Sequence, residues 1–297
     1  MSEHMALENL TVLDLTRVLA GPFCTMMLAD MGANVIKIEV PKGGDDTRSY
    51  PPFRAENLNG ERESVYFANI NRNKKGITLN LKAPEGKEIF KELVKKADIV
   101  VENYRPGVMD KLGLGYDVLK EINPRIIYAA VSGFGCYGPY HLRPGYDILA
   151  QAMGGMMSIT GSKGGEPTRA GSALGDILGG LHVTIGILAA VNARTITGKG
   201  QRVDVSLMDS MIAATENTAL KYIETGNITA HGQPLCCRFP LRQLHLQGRQ
   251  GHHCCRQPEA VREALQRGVG TPRYDHRSPV RGYAGPSGQS GCHCRGH

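Results

Sequence analysis

Strand-like apolar runs alternate with helix-like segments over the first 233 residues, and this alternation limits the fold more than any other feature of the chain. The run 11–15 (TVLDL) predicts a strand, 21–32 a helix and 34–40 (NVIKIEV) a second strand, which together make a β-α-β unit. The order recurs in a helix over 83–97, a strand over 97–103, a helix over 116–123 and a strand over 125–135. Such alternation predicts an α/β fold with a Rossmann-like parallel sheet flanked by helices.

A mainly helical segment follows the sheet. Helices are predicted over 147–158, 176–194 and 208–226, with one further strand over 201–207. No uninterrupted apolar run approaches the ~20 residues of a membrane span, and the N-terminus MSEHMALENL lacks the pattern of a signal peptide. We therefore expect a cytoplasmic protein with no membrane partner.

The composition and periodicity of the sequence change near residue 234. Residues 234–297 contain no Lys, Ile, Asn or Met, are rich in Arg, Gly, Cys and His, and show no sustained strand or helix period. Codons can be chosen that encode the observed sequence from Leu235 onward and that, after the loss of one base, are read in another frame as CAAVSPYDSFTCKDGKVIIAAGNQKL. This second sequence has alternating apolar runs around a KDG turn. We therefore divide the chain into a folded portion, 1–233, and an out-of-frame, disordered tail, 234–297.

The net charge of +7 lies entirely in this tail, which holds ten Arg and three acidic residues. Since the first 233 residues are neutral, the charge gives no support for a nucleic-acid partner. The tail also pairs Cys-Cys with His-His between Cys236 and Pro258. Structural zinc ligands are usually spaced as C-x₂₋₄-C and H-x₃₋₅-H, so this spacing does not predict a metal site. Cys24 and Cys136, the two cysteines before the tail, suit a reducing compartment.

The first β-α-β unit resembles a nucleotide-binding unit but lacks the G-x-G-x-x-G pattern. A dinucleotide site needs those glycines so that the backbone can approach a pyrophosphate, and the turn here is VLAGP. A nicotinamide-dependent dehydrogenase is therefore disfavoured. The AGP turn still places backbone N–H groups at a helix start, which suits an anionic ligand or is simply a tight turn with Pro22 in the first helical turn.

Five stretches in unbroken order carry a resemblance over about residues 6–233. They are VLDLTRVLAGPFCTMMLADMGANVIKIE, NINRNKKGITLNLKAPEGKEIF, ADIVVENYRPGVMDKLGLGYDVL, YDILAQAMGG and GSALGDILGGLHVTIGILAAVNARTITGKGQRVDVSLMD. On these motifs the chain resembles the class III coenzyme A transferases. The resemblance implies a coenzyme A (CoA) thioester as substrate, a carboxylic acid as the second substrate, and no tightly bound cofactor or metal.

In that family the nucleophile is the aspartate of the GD motif that opens a long apolar helix, which corresponds here to Asp176. The helix dipole and free N–H groups would favour its ionised form, and the carboxylate would attack a thioester carbonyl to form a mixed anhydride. An aspartyl-CoA thioester would then carry CoA to the acceptor acid. On the local pattern alone, a helix N-cap is the favoured interpretation of Asp176, and the five motifs together reverse that preference.

The resemblance also implies CoA contacts at thirteen positions, where Arg and Lys would bind phosphates and apolar residues would hold the adenine. They are Arg17, Val18, Leu19, Ala20, Leu79, Asn80, Leu81, Lys82, Asn103, Tyr104, Arg105, Lys111 and Arg143. Leu19 and Val40 replace the Gln and Arg of formyl-CoA transferase, which argues against formyl-CoA and oxalate as the natural substrate pair.

The same superfamily contains α-methylacyl-CoA racemases, which use a His in a GHD motif as a base. The corresponding residue here is Tyr146, and an ordinary tyrosine pKa of about 10 does not suit that role. His182 follows Asp176 in the same helix and is interpreted as a packed helix residue. Transfer is therefore favoured over a racemase-like reaction.

A second alternative is a non-catalytic remnant. The family's second, smaller domain would follow residue 233, where this chain has the unrelated tail. Family members form an interlocked homodimer of two ring-shaped chains, and the resemblance does not extend to the segment that would close such a ring here. The family's glycine-rich loop over the acyl intermediate would lie in the same replaced region.

Overall fold

In the computed structural model, the described residues are 4–56, 60, 62–162 and 165–227, together with the backbone of 241–246 and 249–254. The chain divides into two compact units, Met1–Gln233 and Pro234–His297.

The first unit is built on a parallel sheet of six strands in the order β3-β2-β1-β4-β5-β6. The strands are β1 (Thr11–Asp14), β2 (Asn34–Glu39), β3 (Lys75–Thr78), β4 (Ile99–Glu102), β5 (Ile127–Ser132) and β6 (Arg202–Ser206). The chain moves outward from β1 through β3 and then returns to β4 on the other side of β1. This Rossmann-like order places the point of reversal between β1 and β4, where α/β sheets open a crevice at the carboxyl ends of their strands.

The helices of this unit cover the sheet and continue beyond it. They are α1 (Ala20–Asp30), α2 (Val65–Ile70), α3 (Pro84–Val94), α4 (Val108–Leu112), α5 (Tyr116–Ile122), α6 (Asp147–Met153), α7 (Met156–Ile159), α8 (Leu174–Thr197), α9 (Leu207–Ala214) and α10 (Asn217–Thr225), with a 3-10 helix at Asp46–Ser49. The expected α/β class and flanking helices are confirmed.

The core has two layers, one on each face of the sheet. Successive residues of a strand point to opposite faces, so Val12 packs with the cluster under α1 and α8, and Leu13 packs with the cluster that contains Phe90 of α3 and Leu119 of α5. All four residues of β4 are buried. Continuous burial of this kind is what a parallel sheet covered on both faces requires.

Helix α8 packs against α1, β5 and β6. The approach is close because Gly180 faces the first turn of α1, and a Cβ there would lie 2.7 Å from the carbonyl oxygen of Ala20. By length and composition alone, α8 is also long and apolar enough to cross a membrane. No such segment was expected from the sequence, because α8 is not an uninterrupted apolar run. One face of α8 packs in the core, where Val183, Ile187 and Ala190 are fully buried, while Ile185 and Ile196 are exposed.

Several elements differ from the sequence-based predictions, which also did not include α2 and α4. The edge strand β3 was not predicted, because all four of its residues are exposed and show no apolar alternation. The helix predicted over 147–158 is divided into α6 and α7 by Gly154 and Gly155, and Gly155 has a left-handed φ of 84°. The helix predicted over 208–226 is divided into α9 and α10 at Glu216, whose φ of 54° breaks the helical path.

The second unit contains β7 (Leu241–Leu246) and β8 (Arg249–Cys254), which pair antiparallel. No strand was predicted for 241–246 or 249–254. The rest of 234–297 lies outside the described residues, and the proposal of an out-of-frame, disordered tail stays a prediction.

Candidate active site

A cavity of about 650 Å³ lies at the carboxyl ends of the central strands, where the sheet order reverses. Its wall includes the turn after β1, the turn after β4, the end of β5 and the loop that leads into α6. Of the predicted site residues, it brings together Asp176, Arg17, Val18, Leu19, Ala20, Asn103, Tyr104, Arg105 and Arg143. These residues are far apart in sequence, and the parallel arrangement collects them because it aligns the ends of successive strands.

The other predicted CoA contacts do not line this cavity. Leu79 and Leu81 follow the carboxyl end of β3 and pack into the core layer under α3, while Asn80 accepts a hydrogen bond from the Lys82 amide at 3.1 Å. Lys111 is exposed on α4. These five positions lie on the carboxyl edge of the sheet or just beyond it, and their contact with CoA stays a prediction.

Asp176 is the third residue of α8, and its side chain is partly buried in the cavity wall. Burial, and after it the negative charge of Asp147, raise its pKa from 3.8 to about 6, while Arg169 acts in the opposite direction. The expectation that the ionised form of Asp176 is favoured is therefore wrong in direction, because burial and the charge of Asp147 raise the pKa. The amide of Gly175, in the first turn of α8, donates to Asp147 at 2.8 Å. At pH 7 the Asp176 carboxylate is still ionised in roughly nine molecules of ten.

Asp147 is a second carboxylate beside the first, and it was not among the predicted site residues. It is buried at the start of α6, where both of its oxygens accept hydrogen bonds from Gln151 Nε2. Arg169 pairs with Asp147 Oδ2 through Nε at 3.0 Å and Nη2 at 2.9 Å. Gln151 Oε1 in turn accepts the Ala170 amide, so the segment before α8 is tied to α6. The only sequence signal was an acidic residue in the first turn of a predicted helix.

Two tyrosines approach the cavity from α2 and from the loop before it. Tyr66 interacts with the charge of Asp176, and burial together with that charge raises the pKa of Tyr66 to about 12. Its ring packs edge-on against Tyr50, with 6.0 Å between ring centroids, and Tyr50 lines the cavity. Tyr66 therefore stays protonated at neutral pH, and its hydroxyl is available as a hydrogen-bond donor.

Glu102 ends β4 directly below the predicted CoA-binding turn at Asn103–Arg105. Its carboxylate accepts hydrogen bonds from the Tyr104 amide at 2.7 Å and the Tyr128 hydroxyl at 3.1 Å. Burial raises the pKa of Glu102 to about 7, which these hydrogen bonds only partly offset. A group that changes charge near neutral pH thus supports one side of the cavity.

The arginines of the cavity wall differ in their partners. Arg17 pairs with Asp46, and Nε of Arg17 lies 3.1 Å from Asp46 Oδ2. Arg143 stacks on Tyr140 with 4.2 Å from its guanidinium carbon to the ring centroid. Among the described residues, no carboxylate pairs with Arg105 or Arg143, so both present unneutralised guanidinium groups that suit phosphate oxygens.

Nothing in the described part of the chain groups three or more His, Cys, Asp or Glu side chains in a metal-binding arrangement. The Cys and His pairs between Cys236 and Pro258 fall largely outside the described residues, and no side chain of β7 or β8 is described. The described residues that line the cavity include no histidine, and His182 lies elsewhere on α8.

Comparison with known proteins agrees with the resemblance found in the sequence. The model of CoA-transferase family III matches residues 7–274. An acyl-CoA transferase of Fusarium pseudograminearum is 49% identical over 228 residues, which are 76% of this chain and 50% of that protein. The succinyl-CoA:mesaconate CoA-transferase of Haloarcula marismortui is 48% identical over 223 residues, 73% of this chain and 55% of that protein.

A solved structure gives the same result. The crystal structure of a CAIB/BAIF family protein from Brucella suis superimposes with a TM-score of 0.77 and 41% sequence identity, covering 84% of this chain and 65% of that one. The chain spans about half the length of the curated relatives it matches.

Proposed function

The chain belongs to CoA-transferase family III, and from this premise we propose that its cavity binds an acyl-CoA and that Asp176 transfers CoA to a carboxylic acid. The observation that carries the proposal is the position of Asp176. Its carboxylate lies in one cavity wall with the unneutralised guanidinium groups of Arg105 and Arg143, so a nucleophile and phosphate-binding groups face the same space.

The chemistry uses the carboxylate twice. Asp176, mostly ionised at pH 7, attacks the thioester carbonyl; the carbon–sulfur bond breaks and CoA leaves as its thiolate. The product is a mixed anhydride between the acyl group and Asp176. The thiolate then attacks the aspartyl carbonyl, which releases the first acid and leaves an aspartyl-CoA thioester. The acceptor carboxylate attacks that thioester, which breaks the carbon–sulfur bond, releases the CoA thiolate and forms a second mixed anhydride. The thiolate then attacks the acceptor's carbonyl in this anhydride, which gives the new acyl-CoA and frees the Asp176 carboxylate.

The raised pKa of Asp176 suits this role. A carboxylate whose conjugate acid has a pKa of about 6 is more basic than an ordinary aspartate, and basicity generally increases nucleophilic reactivity, while most molecules still carry the charge at pH 7. The start of α1 adds backbone N–H groups, because no side chain caps that helix and Leu19 and Ala20 both line the cavity. Such groups favour developing negative charge on a carbonyl oxygen or on a phosphate.

Two alternatives are weaker. A racemase-like reaction would need a second base at the position of Tyr146, and the described cavity wall holds no histidine. A non-catalytic role for the chain is the second alternative, and label exchange distinguishes it from CoA transfer. We also propose a cytoplasmic location, on the grounds given by the sequence.

The experiment follows isotope exchange. The full chain is incubated with succinyl-CoA and labelled acetate, glutarate or mesaconate, and the label in the CoA thioester is measured by mass spectrometry. The proposal predicts label in at least one acyl-CoA and none with Asp176→Asn. Asp209→Asn, a change in the first turn of α9 outside the cavity lining, is the matched control. A folded chain that binds CoA yet transfers no label would favour the non-catalytic role.

A further inference from the structure

The turn after β1 is held by side chains at consecutive backbone groups. The amide of Thr16 donates to Asp14 Oδ1 at 2.9 Å, and its carbonyl accepts from Lys37 Nζ at 2.8 Å. The amide of Val18 donates to Asp45 Oδ1 at 3.2 Å. Ordinary turns are closed by backbone hydrogen bonds; here buried charges take that place.

Asn103 completes the set from β4. Its Oδ1 accepts the Arg17 amide at 2.9 Å, and its Nδ2 donates to the Arg17 carbonyl at 2.7 Å. From the Thr16 amide to the Val18 amide, every main-chain donor and acceptor is thus bound by a side chain. Arg17 and Val18 line the cavity, and so do Leu19 and Ala20, which follow them.

The clamped turn is also strained. Val18 has a φ of +67° and is the only β-branched residue among the described non-glycine residues with positive φ. A β-branched side chain is rarely found in the left-handed region, because Cβ crowds the backbone there. Strain of this kind persists only where the surroundings impose it, and it is often found at functional sites.

The charges that hold the turn in this strained conformation form two buried ion pairs. Lys37 Nζ lies 2.9 Å from Asp45 Oδ2, and Lys74 Nζ lies 3.0 Å from Asp14 Oδ2, with every side chain at most 2% exposed. Lys74 also donates to the carbonyl of Pro22 in α1 and to Asn71 Oδ1. Buried ion pairs can often be replaced by apolar residues of similar volume with no loss of stability. An apolar replacement could not hold the turn.

We propose that Lys37, Asp45, Lys74 and Asp14 are positioning residues that hold the turn at Val18 ready for the acyl-CoA ligand. The inference rests on the proposed function, since it takes the ligand of this cavity to be a CoA thioester. The pairs fix the direction in which Arg17 and the start of α1 enter the cavity, so the ligand meets a turn that needs no ordering on binding.

The first test compares Val18→Gly with Val18→Ala. Both remove the side chain from the cavity wall, but only glycine adopts positive φ freely and lets the turn move. We expect Val18→Gly to keep or increase the Tm and to bind CoA, measured by calorimetry, more weakly than Val18→Ala by roughly five- to thirtyfold, the factor that corresponds to ordering one residue's backbone. Any loss of affinity in Val18→Ala measures the side-chain contact of this cavity residue, so the difference between the two variants alone reports the order of the turn.

Lys42→Gly is the matched control, because it relieves the backbone strain of a residue with positive φ at a different place in the chain. Lys42 has a φ of 61°, is exposed and does not line the cavity, so its replacement should leave CoA binding unchanged.

The second variant combines Lys37→Met with Asp45→Asn, which removes one buried pair while the asparagine side chain keeps an oxygen for the Val18 amide. It should speed amide hydrogen exchange at residues 16–18 in the free protein and raise KM for acetyl-CoA more than it lowers kcat.

The outcomes separate the two proposals. Equal CoA affinities for Val18→Gly and Val18→Ala would overturn the positioning role alone. Amides 16–18 that exchange in the free wild-type protein as fast as an exposed loop would also overturn it, whatever the ligand. A wild-type chain that does not bind CoA, although its amides at 16–18 are protected, would instead overturn the proposed function and with it the assignment of the ligand. If the double variant fails to fold, the comparison of glycine with alanine at Val18 still decides.

Discussion

Replacing Asp147 with Asn should lower the pKa of Asp176. Two effects act in the same direction. The substitution removes the negative charge that raises the pKa of Asp176, and it frees Arg169, now bound to Asp147 Oδ2 at 2.9–3.0 Å, to act on Asp176 alone. Burial of Asp176 is the larger cause of its pKa of about 6 and is unchanged, so the pKa should fall only part of the way toward 3.8. We expect a fall of roughly one pH unit.

The substitution should also cost stability. The asparagine side chain of Asp147→Asn can still accept the Gly175 amide, but it cannot accept from both Gln151 and Arg169 as the carboxylate does. Loss of charge-assisted hydrogen bonds at a buried site costs about 1–3 kcal/mol, part of which is recovered because the repulsion from Asp176 is gone.

The direct assay is carboxyl ¹³C NMR of protein with labelled aspartate, in which the Asp176 signal is assigned by its absence in Asp176→Asn. The acid limb of any exchange activity should move to lower pH by the same amount. Asp117→Asn, an exposed residue that pairs with Lys120, is the control. An Asp176 that titrates at the same pH or higher in Asp147→Asn would refute the reasoning.

Three further predictions concern the same site. Asp176→Asn should raise the free energy of unfolding at pH 8 by up to about 3 kcal/mol and change it little at pH 4. The reason is that a raised folded pKa contributes stability below pH 3.8 that is lost as pH rises through about 6. Urea unfolding at both pH values checks this, and equal stabilities of variant and wild type at pH 8 would contradict it. Glu102→Gln should stabilise by a similar amount, with the change confined to pH above 4.5 and complete past about 7; a variant less stable than wild type at pH 8 would show that the ionised carboxylate is needed. Arg105→Gln and Arg143→Gln should each weaken CoA binding at least about tenfold by calorimetry, whereas Arg54→Gln, outside the cavity, should not; unchanged affinity in both would remove these arginines from the phosphate site.

Much of the fold could be predicted from the sequence because apolar periodicity reports burial. The strands β1, β2, β4, β5 and β6 are buried on one or both faces, and each was predicted. The exposed edge strand β3 has no such periodicity, and its pairing with β2 comes only from the parallel register. The divisions at Gly154–Gly155 and at Glu216 depend on single left-handed residues, which an otherwise helical pattern hides.

The site was predicted as a set of motifs, and the structure adds what the motifs cannot contain. Asp176 was identified by resemblance, but the direction of its pKa was not, since that depends on its burial and on Asp147 lying beside it from another helix. The buried partners of the turn at Val18 come from the ends of β1 and β2, from the loop after β2 and from the segment before β3. Pairing across elements that are distant in sequence leaves no local signal, and one sequence alone does not reveal it.

The most direct test of the central claim is a chemical trap. The full chain is incubated with acetyl-CoA and then with hydroxylamine, which attacks a mixed anhydride or an aspartyl-CoA thioester, and the peptide that carries Asp176 is examined by mass spectrometry. If Asp176 is the nucleophile, its side chain should carry a hydroxamate that requires acetyl-CoA and is absent in Asp176→Asn. A folded protein that binds CoA and yields no modified peptide, or one modified at a different residue, would contradict it.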